Sequence, residues 1–76
     1  GSKIYTIQVK ASRNPLNMRL FRDIGDIREI YSEDGYYRYV TGEYSQLTKA
    51  KEALAPIKDS GFSDAFIREL NLLIIK

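Results

Sequence analysis

Residues Asp34-Gly35-Tyr36-Tyr37-Arg38-Tyr39-Val40-Thr41-Gly42 form a run of β-formers bracketed by two glycines, and they hold three of the six tyrosines. Tyr, Val and Thr suit a pleated, half-buried surface, Asp34-Gly35 supplies a hairpin turn, and Gly42 frees the backbone to leave the sheet. The stretch therefore reads as a strand. Side chains alternate along a strand, so Tyr37, Tyr39 and Thr41 share one face and Tyr36, Arg38 and Val40 the other. One face should pack on helices. The other presents an arginine beside an aromatic, a costly pair to bury unpaired and a useful pair to show a ligand.

The rest of the chain has to supply the sheet around this strand. Lys3 to Lys10 alternates, with Tyr5, Ile7 and Val9 on one side and Ile4, Thr6, Gln8 and Lys10 on the other, which marks a second half-buried strand. Ser12-Arg13-Asn14-Pro15 is loop chemistry, and Met18, Leu20, Phe21 and Ile24 allow at most a short helix ended by Gly25. Ile27 to Tyr31 leads through Ser32-Glu33 into the organising strand as a hairpin. A two-residue turn would place Ile30 on the side of Tyr37 and Tyr39, whereas a three-residue loop would place Ile27 and Tyr31 there. Ser45 is the expected N-cap of a helix carrying Leu47, Ala50, Leu54 and Ile57 at helical spacing. Pro56 should kink or loosen its last turn, and Gly61 should stop it. Ala65 to Leu70 reads as the final strand, prolonged by the apolar run to Ile75. Either Phe66 or Ile67 points outward there.

The order strand, short helix, strand, strand, helix, strand is the α+β, ferredoxin-like or RNP-like βαββαβ arrangement. It is a four-stranded antiparallel sheet with helices on one face and a degenerate first helix. The first strand and the organising strand are then central. Gln8 would meet Tyr36, Arg38 and Val40 on the face left open to solvent, where a ligand could lie.

Composition narrows the chemistry. At 76 residues there is room for one domain with one small core, burying about 60 % of its unfolded surface. Gly1-Ser2 reads as a cloning remnant, which leaves residues 3–76 as a single domain excised from a larger protein. The chain has no cysteine and no histidine, so the usual thiolate nucleophile, the commonest general base and the commonest zinc ligand are missing; neither metal nor cofactor is expected. Twelve Lys and Arg against ten Asp and Glu is too slight an excess to argue for a polyanionic partner. No stretch approaches the ~20 apolar residues of a membrane span.

Three segments in register carry a family resemblance: Tyr5-Thr6-Ile7-Gln8-Val9, Gly35 to Tyr44, and Gly61-Phe62-Ser63-Asp64-Ala65-Phe66-Ile67. They resemble the SPOR domain, over roughly Ile4 to Leu70. Its pattern has a Val-Gln pair in the first strand, an aromatic-x-Arg strand running into Gly-Pro-aromatic, a helix, and a glycine before a short last strand. The resemblance implies a non-catalytic bacterial envelope module that binds septal peptidoglycan through the open sheet face and favours glycan strands stripped of stem peptides. It implies an extracytoplasmic place, as part of a larger secreted or membrane-anchored protein. By position, Gln8 matches the first-strand glutamine, Tyr36 the exposed aromatic and Arg38 the arginine two residues on, and Val40 completes that strand face. The small polar residue often found three places after the glutamine falls on Ala11, with Ser12 beside it as the nearest hydroxyl. Glu43 stands where the family has proline, and the segment from Ser12 to Asp26 is shorter than the usual first helix.

Plainer readings exist for each residue. Arg38 can be a solubilising arginine lying across its neighbours, Tyr36 a cross-strand packing residue, and Gln8 a strand glutamine facing water. Two other functions compete. RNA-recognition motifs share the fold and stack bases on sheet aromatics, yet here Asp34 stands where their motif has a basic residue and Tyr37 where it has a small one, so nucleic acid is not expected. A protein-interaction module would pair its apolar tail, Leu70 to Ile75, with another chain or a second copy, although a monomer is the simpler expectation.

Overall fold

The computed structural model describes residues 3–74. Strand β1 (Tyr5–Ser12), a single 3-10 turn (Met18–Phe21), β2 (Arg28–Tyr31), β3 (Tyr37–Tyr44), helix α1 (Leu47–Asp59), β4 (Phe66–Glu69) and helix α2 (Leu70–Ile74) follow in that order. The strands make one antiparallel sheet in the order β2-β3-β1-β4, with β1 and β3 central.

Ile7, Val9, Phe21, Tyr39 and Ala65 form the buried core, and Ala53, Leu54 and Ile57 of α1 pack against it. The helix contributes a stripe of small and branched residues at three- and four-residue spacing, while Leu47, one turn earlier, stays 41 % exposed. In place of a full first helix, Phe21 enters the core from the 3-10 turn, with Leu16, Ile24 and Ile27 packed beside it. Phe21, 1 % exposed, stacks on Tyr39 at 5.0 Å and on Phe62 at 5.8 Å between ring centroids. The buried Tyr39 hydroxyl accepts a hydrogen bond from the Leu16 N–H at 2.7 Å and donates one to Glu29 Oε2 at 2.7 Å. The irregular segment before β2 is thus pinned to the sheet from below.

The hairpin is of the three-residue kind. Gly35 N–H bonds to the Ser32 carbonyl and Ser32 N–H to the Tyr36 carbonyl, both at 2.9 Å. Gly35 takes φ +88°, the left-handed residue that such a loop needs. Tyr31 then pairs with Tyr37, their rings 4.7 Å apart, and Glu29 with Tyr39. A second special glycine, Gly42 at φ +78°, marks an irregularity where β3 runs ahead of β1 between Tyr5 and Ile7.

Two expectations are corrected. The cap of α1 is Gln46, with no side-chain hydrogen bond, and not Ser45. The last strand ends at Glu69, and residues Leu70–Ile74 are helical instead of prolonging it; Ile75 lies outside the described residues. Burial and capping turn the chain there: Leu70 is 5 % exposed, its N–H bonds to the Ile4 carbonyl at 2.7 Å, and Asn71 Oδ1 accepts from the Ile4 N–H at 3.1 Å. The tail therefore does not present a strand edge over 70–74 for pairing with a second copy.

Candidate functional site

Directly paired residues share a face of a sheet. Gln8 pairs with Val40 on one side and Phe66 on the other, Thr6 with Arg68, and Arg38 with Ala11 and Ile30. All lie on the face opposite the core and α1. Tyr36 precedes β3 and joins them through its ring, whose centroid is 5.6 Å from the guanidinium of Arg38 and 5.1 Å from that of Arg13. The structure thus brings Gln8, Tyr36, Arg38 and Val40 together. Ser12 pairs with Tyr37, on the core side, and its Oγ accepts the Asn14 N–H at 3.2 Å.

This face is paved, where a bare one was expected. Thr6 is fully buried, Gln8 is 7 % exposed and Val40 2 %. Long arginine side chains lie low over the strands, apolar stems down. Arg38 keeps only 16 % of its side chain exposed, and Arg68 Nη1 reaches along the sheet to donate to Gln8 Oε1 at 3.0 Å. Thr6 turns its hydroxyl to the backbone, donating to the carbonyls of Thr41 at 3.0 Å and Gly42 at 2.7 Å.

Asp34 in the hairpin loop takes both ends of the Arg38 fork, at 3.1 Å from Nη1 and 2.8 Å from Nη2. The same carboxylate accepts the Tyr36 N–H at 3.1 Å. The bonded guanidinium holds the Asp34 carboxyl down at about 2, and Asp34 in turn raises Arg38. Arg38 Nε is buried and has no acceptor among the described residues. Arg68 is lowered, first by burial and then by the positive charge of Arg38 nearby.

The face thus carries guanidiniums, an amide and aromatic rings on a covered sheet surface. The SPOR domain family matches residues 1–69 of the 76. The chain belongs to the SPOR domain family. SPOR domains are peptidoglycan-binding modules of bacterial envelope and division proteins, with the ferredoxin-like fold found here. Searches of curated proteins and of solved structures return no match. No helix among the described residues is long and apolar enough to cross a membrane.

Several features of this SPOR domain's face are not legible as site residues in the sequence. Arg68 is one. Once Ile67 pairs with Ile7 on the core side, Phe66 and Arg68 must turn to the face opposite the core, and Phe66 is 45 % exposed there with the Arg68 guanidinium 5.8 Å from its ring centroid. The signal was strand parity, undecidable until the register of β4 was known. Arg13 and Asp34 are the others, both in loops that periodicity does not reach. Beside Gln8 and Phe66, where β4 begins and β1 runs on paired with β3 only, a cleft of about 380 Å³ opens between Lys10, Ala11 and the 61–64 loop. A shallower hollow of about 300 Å³ lies by Val40, flanked by the Arg28–Glu43 ion pair.

Proposed function

We propose that this SPOR domain binds the glycan strands of peptidoglycan, those poor in stem peptides above all, through the sheet face opposite α1, without cleaving them. It would tether a larger extracytoplasmic protein to the cell wall. The observation that carries this reading is the meeting of Gln8, Tyr36 and Arg38 on one face of a SPOR domain. Sugar rings have apolar faces that lie on aromatics such as Tyr36 and Phe66. Their hydroxyl and acetamido groups need polar partners, which the Gln8 amide and the arginines supply. The cleft beside Phe66 extends the face. Nothing here requires an activated water or a nucleophile, since no bond is broken.

The test is co-sedimentation with purified sacculi before and after trimming by an amidase. Retention should be detectable on intact sacculi and rise on trimmed ones, and Tyr36→Ala should lower both. Tight RNA binding at physiological salt with no retention on either form would overturn the reading.

A further inference from the structure

The arginines on the binding face outnumber the acids that answer them. Arg13 and Arg38 stand by the Tyr36 ring, and Arg68 stands by Gln8 and the Phe66 ring. Among the described residues, the one carboxylate bonded to any of the three is Asp34, and both its oxygens are committed to Arg38. Arg68 reaches only the neutral amide oxygen of Gln8. A half-buried guanidinium whose side-chain partner is a neutral amide is an unpaired positive site, and a carboxylate is the ligand group whose planar oxygens match its donors. The lowered affinity of Arg68 for its own proton, caused by burial and by Arg38, agrees with that unanswered charge.

We infer that Arg68, beside Gln8 and Phe66, is a specificity-determining residue that pairs with a carboxylate carried by the glycan. This rests on the function proposed above. In peptidoglycan the stem peptide is joined by an amide bond to a lactyl ether on alternate sugars. Removing the peptide by hydrolysis of that amide leaves a free carboxylate in its place. The strand thereby gains a negative charge only where it has been stripped. A guanidinium set beside an amide and an aromatic ring senses that charge directly, so discrimination is a gain of attraction and not merely the relief of a clash with the peptide.

The experiment is calorimetric titration of the whole domain with three oligosaccharides of equal length: amidase-trimmed glycan, the same glycan with its lactyl carboxylates capped as methylamides, and an uncharged oligomer of N-acetylglucosamine. The wild type should bind the carboxylate form roughly tenfold more tightly than either neutral form, the scale of one charge-assisted pair. Arg68→Gln, checked by thermal melting for intact folding, should bind the carboxylate and methylamide forms alike, at the weaker level. Equal wild-type affinity for both forms overturns the carboxylate inference and leaves glycan binding standing. Undiminished discrimination by Arg68→Gln assigns the charge reading elsewhere and overturns the role of Arg68. No binding to any of the three removes the function on which the inference rests, and the inference with it. The wild-type comparison alters only the ligand, so it decides the carboxylate preference even if Arg68→Gln does not fold. Arg68→Lys, which keeps the charge but not the planar fork, then tests the residue, and undiminished discrimination there overturns its role.

Discussion

Asp34 holds Arg38 by both oxygens, four residues back along the chain and across the turn that starts the central strand. The arginine proposed to face the glycan is therefore also a brace for the hairpin. Arg38→Ala should lower stability by about 1 kcal/mol, since a half-exposed carboxylate and a mostly covered arginine stem are both released, and it should also lower retention on sacculi. Asp34→Asn keeps the loop's hydrogen-bond acceptor but removes the competing charge, so retention should be kept or rise. If Asp34→Asn loses retention as Arg38→Ala does, the carboxylate itself contacts the ligand and the cationic account of this face fails.

The same pair sets an acid limit. Because the folded Asp34 titrates at about 2, below the ordinary carboxylate value near 3.9, its contribution is fully present above that ordinary value. It is lost as pH falls toward 2. Carboxyl carbon shifts followed by NMR should place the Asp34 midpoint near the low value in the wild type and return it toward the ordinary value in Arg38→Ala. An unshifted wild-type midpoint would mean that the ion pair does not persist in solution.

Tyr39→Phe removes one hydroxyl and two hydrogen bonds. The Leu16 N–H loses its acceptor and Glu29 its donor, so a loss of about 2 kcal/mol is expected. Amide exchange should accelerate at Leu16 more than in β1. Burial raises the Tyr39 pKa above its usual value, so its contribution is complete below pH about 10 and fades as the pH climbs through the raised folded value. Wild-type alkaline unfolding should be blunted in Tyr39→Phe. Identical alkaline profiles would show that another tyrosine controls the transition.

Gly42 and Gly35 separate two costs of adding a methyl group. Both have positive φ, at +78° and +88°, but a Cβ on Gly42 would stand 2.5 Å from the Tyr44 ring, while one on Gly35 would meet nothing within 4 Å. Each alanine variant should lose about 1–3 kcal/mol to backbone strain, and Gly42→Ala should lose more because Tyr44 must also move. Equal melting temperatures for the two variants would mean that the ring yields freely.

How much of this was readable in the chain depends on the range of the force involved. Alternation placed Tyr5, Ile7, Tyr37 and Tyr39 inward and Gln8, Arg38 and Val40 on the other side, because period two is imposed by the backbone at every residue. The hairpin was left with two registers, and the choice fell to the backbone bonds around Ser32 and Gly35, which no side-chain pattern encodes. The tail was misread for a comparable reason. Leu70 to Ile74 is apolar enough for a strand, and only the carbonyl of Ile4, some sixty residues away in sequence, and the Asn71 side chain turn it into a helix. The candidate face follows the same rule. The placement of Gln8, Tyr36 and Arg38 on one face is legible, while that of Arg68 depends on a strand register and that of Arg13 and Asp34 on loop geometry. The covered state of the face was invisible, since it comes from where arginine side chains lie down.

The stitch between Ile4 and the Leu70–Asn71 turn has a mechanical side. Antiparallel neighbours β1 and β4 meet there end to end, with Tyr5–Glu69 and Thr6–Arg68 as the outermost pairs. Tension applied at both chain ends would load these strands in peeling, one pair at a time, and not in shear, where all pairs resist together. Low, stepwise rupture in an optical trap is the corresponding signature, and a single high-force event would contradict it. The second pair to part carries Arg68, so load on the chain ends would displace the arginine proposed to meet the glycan before it reached the core.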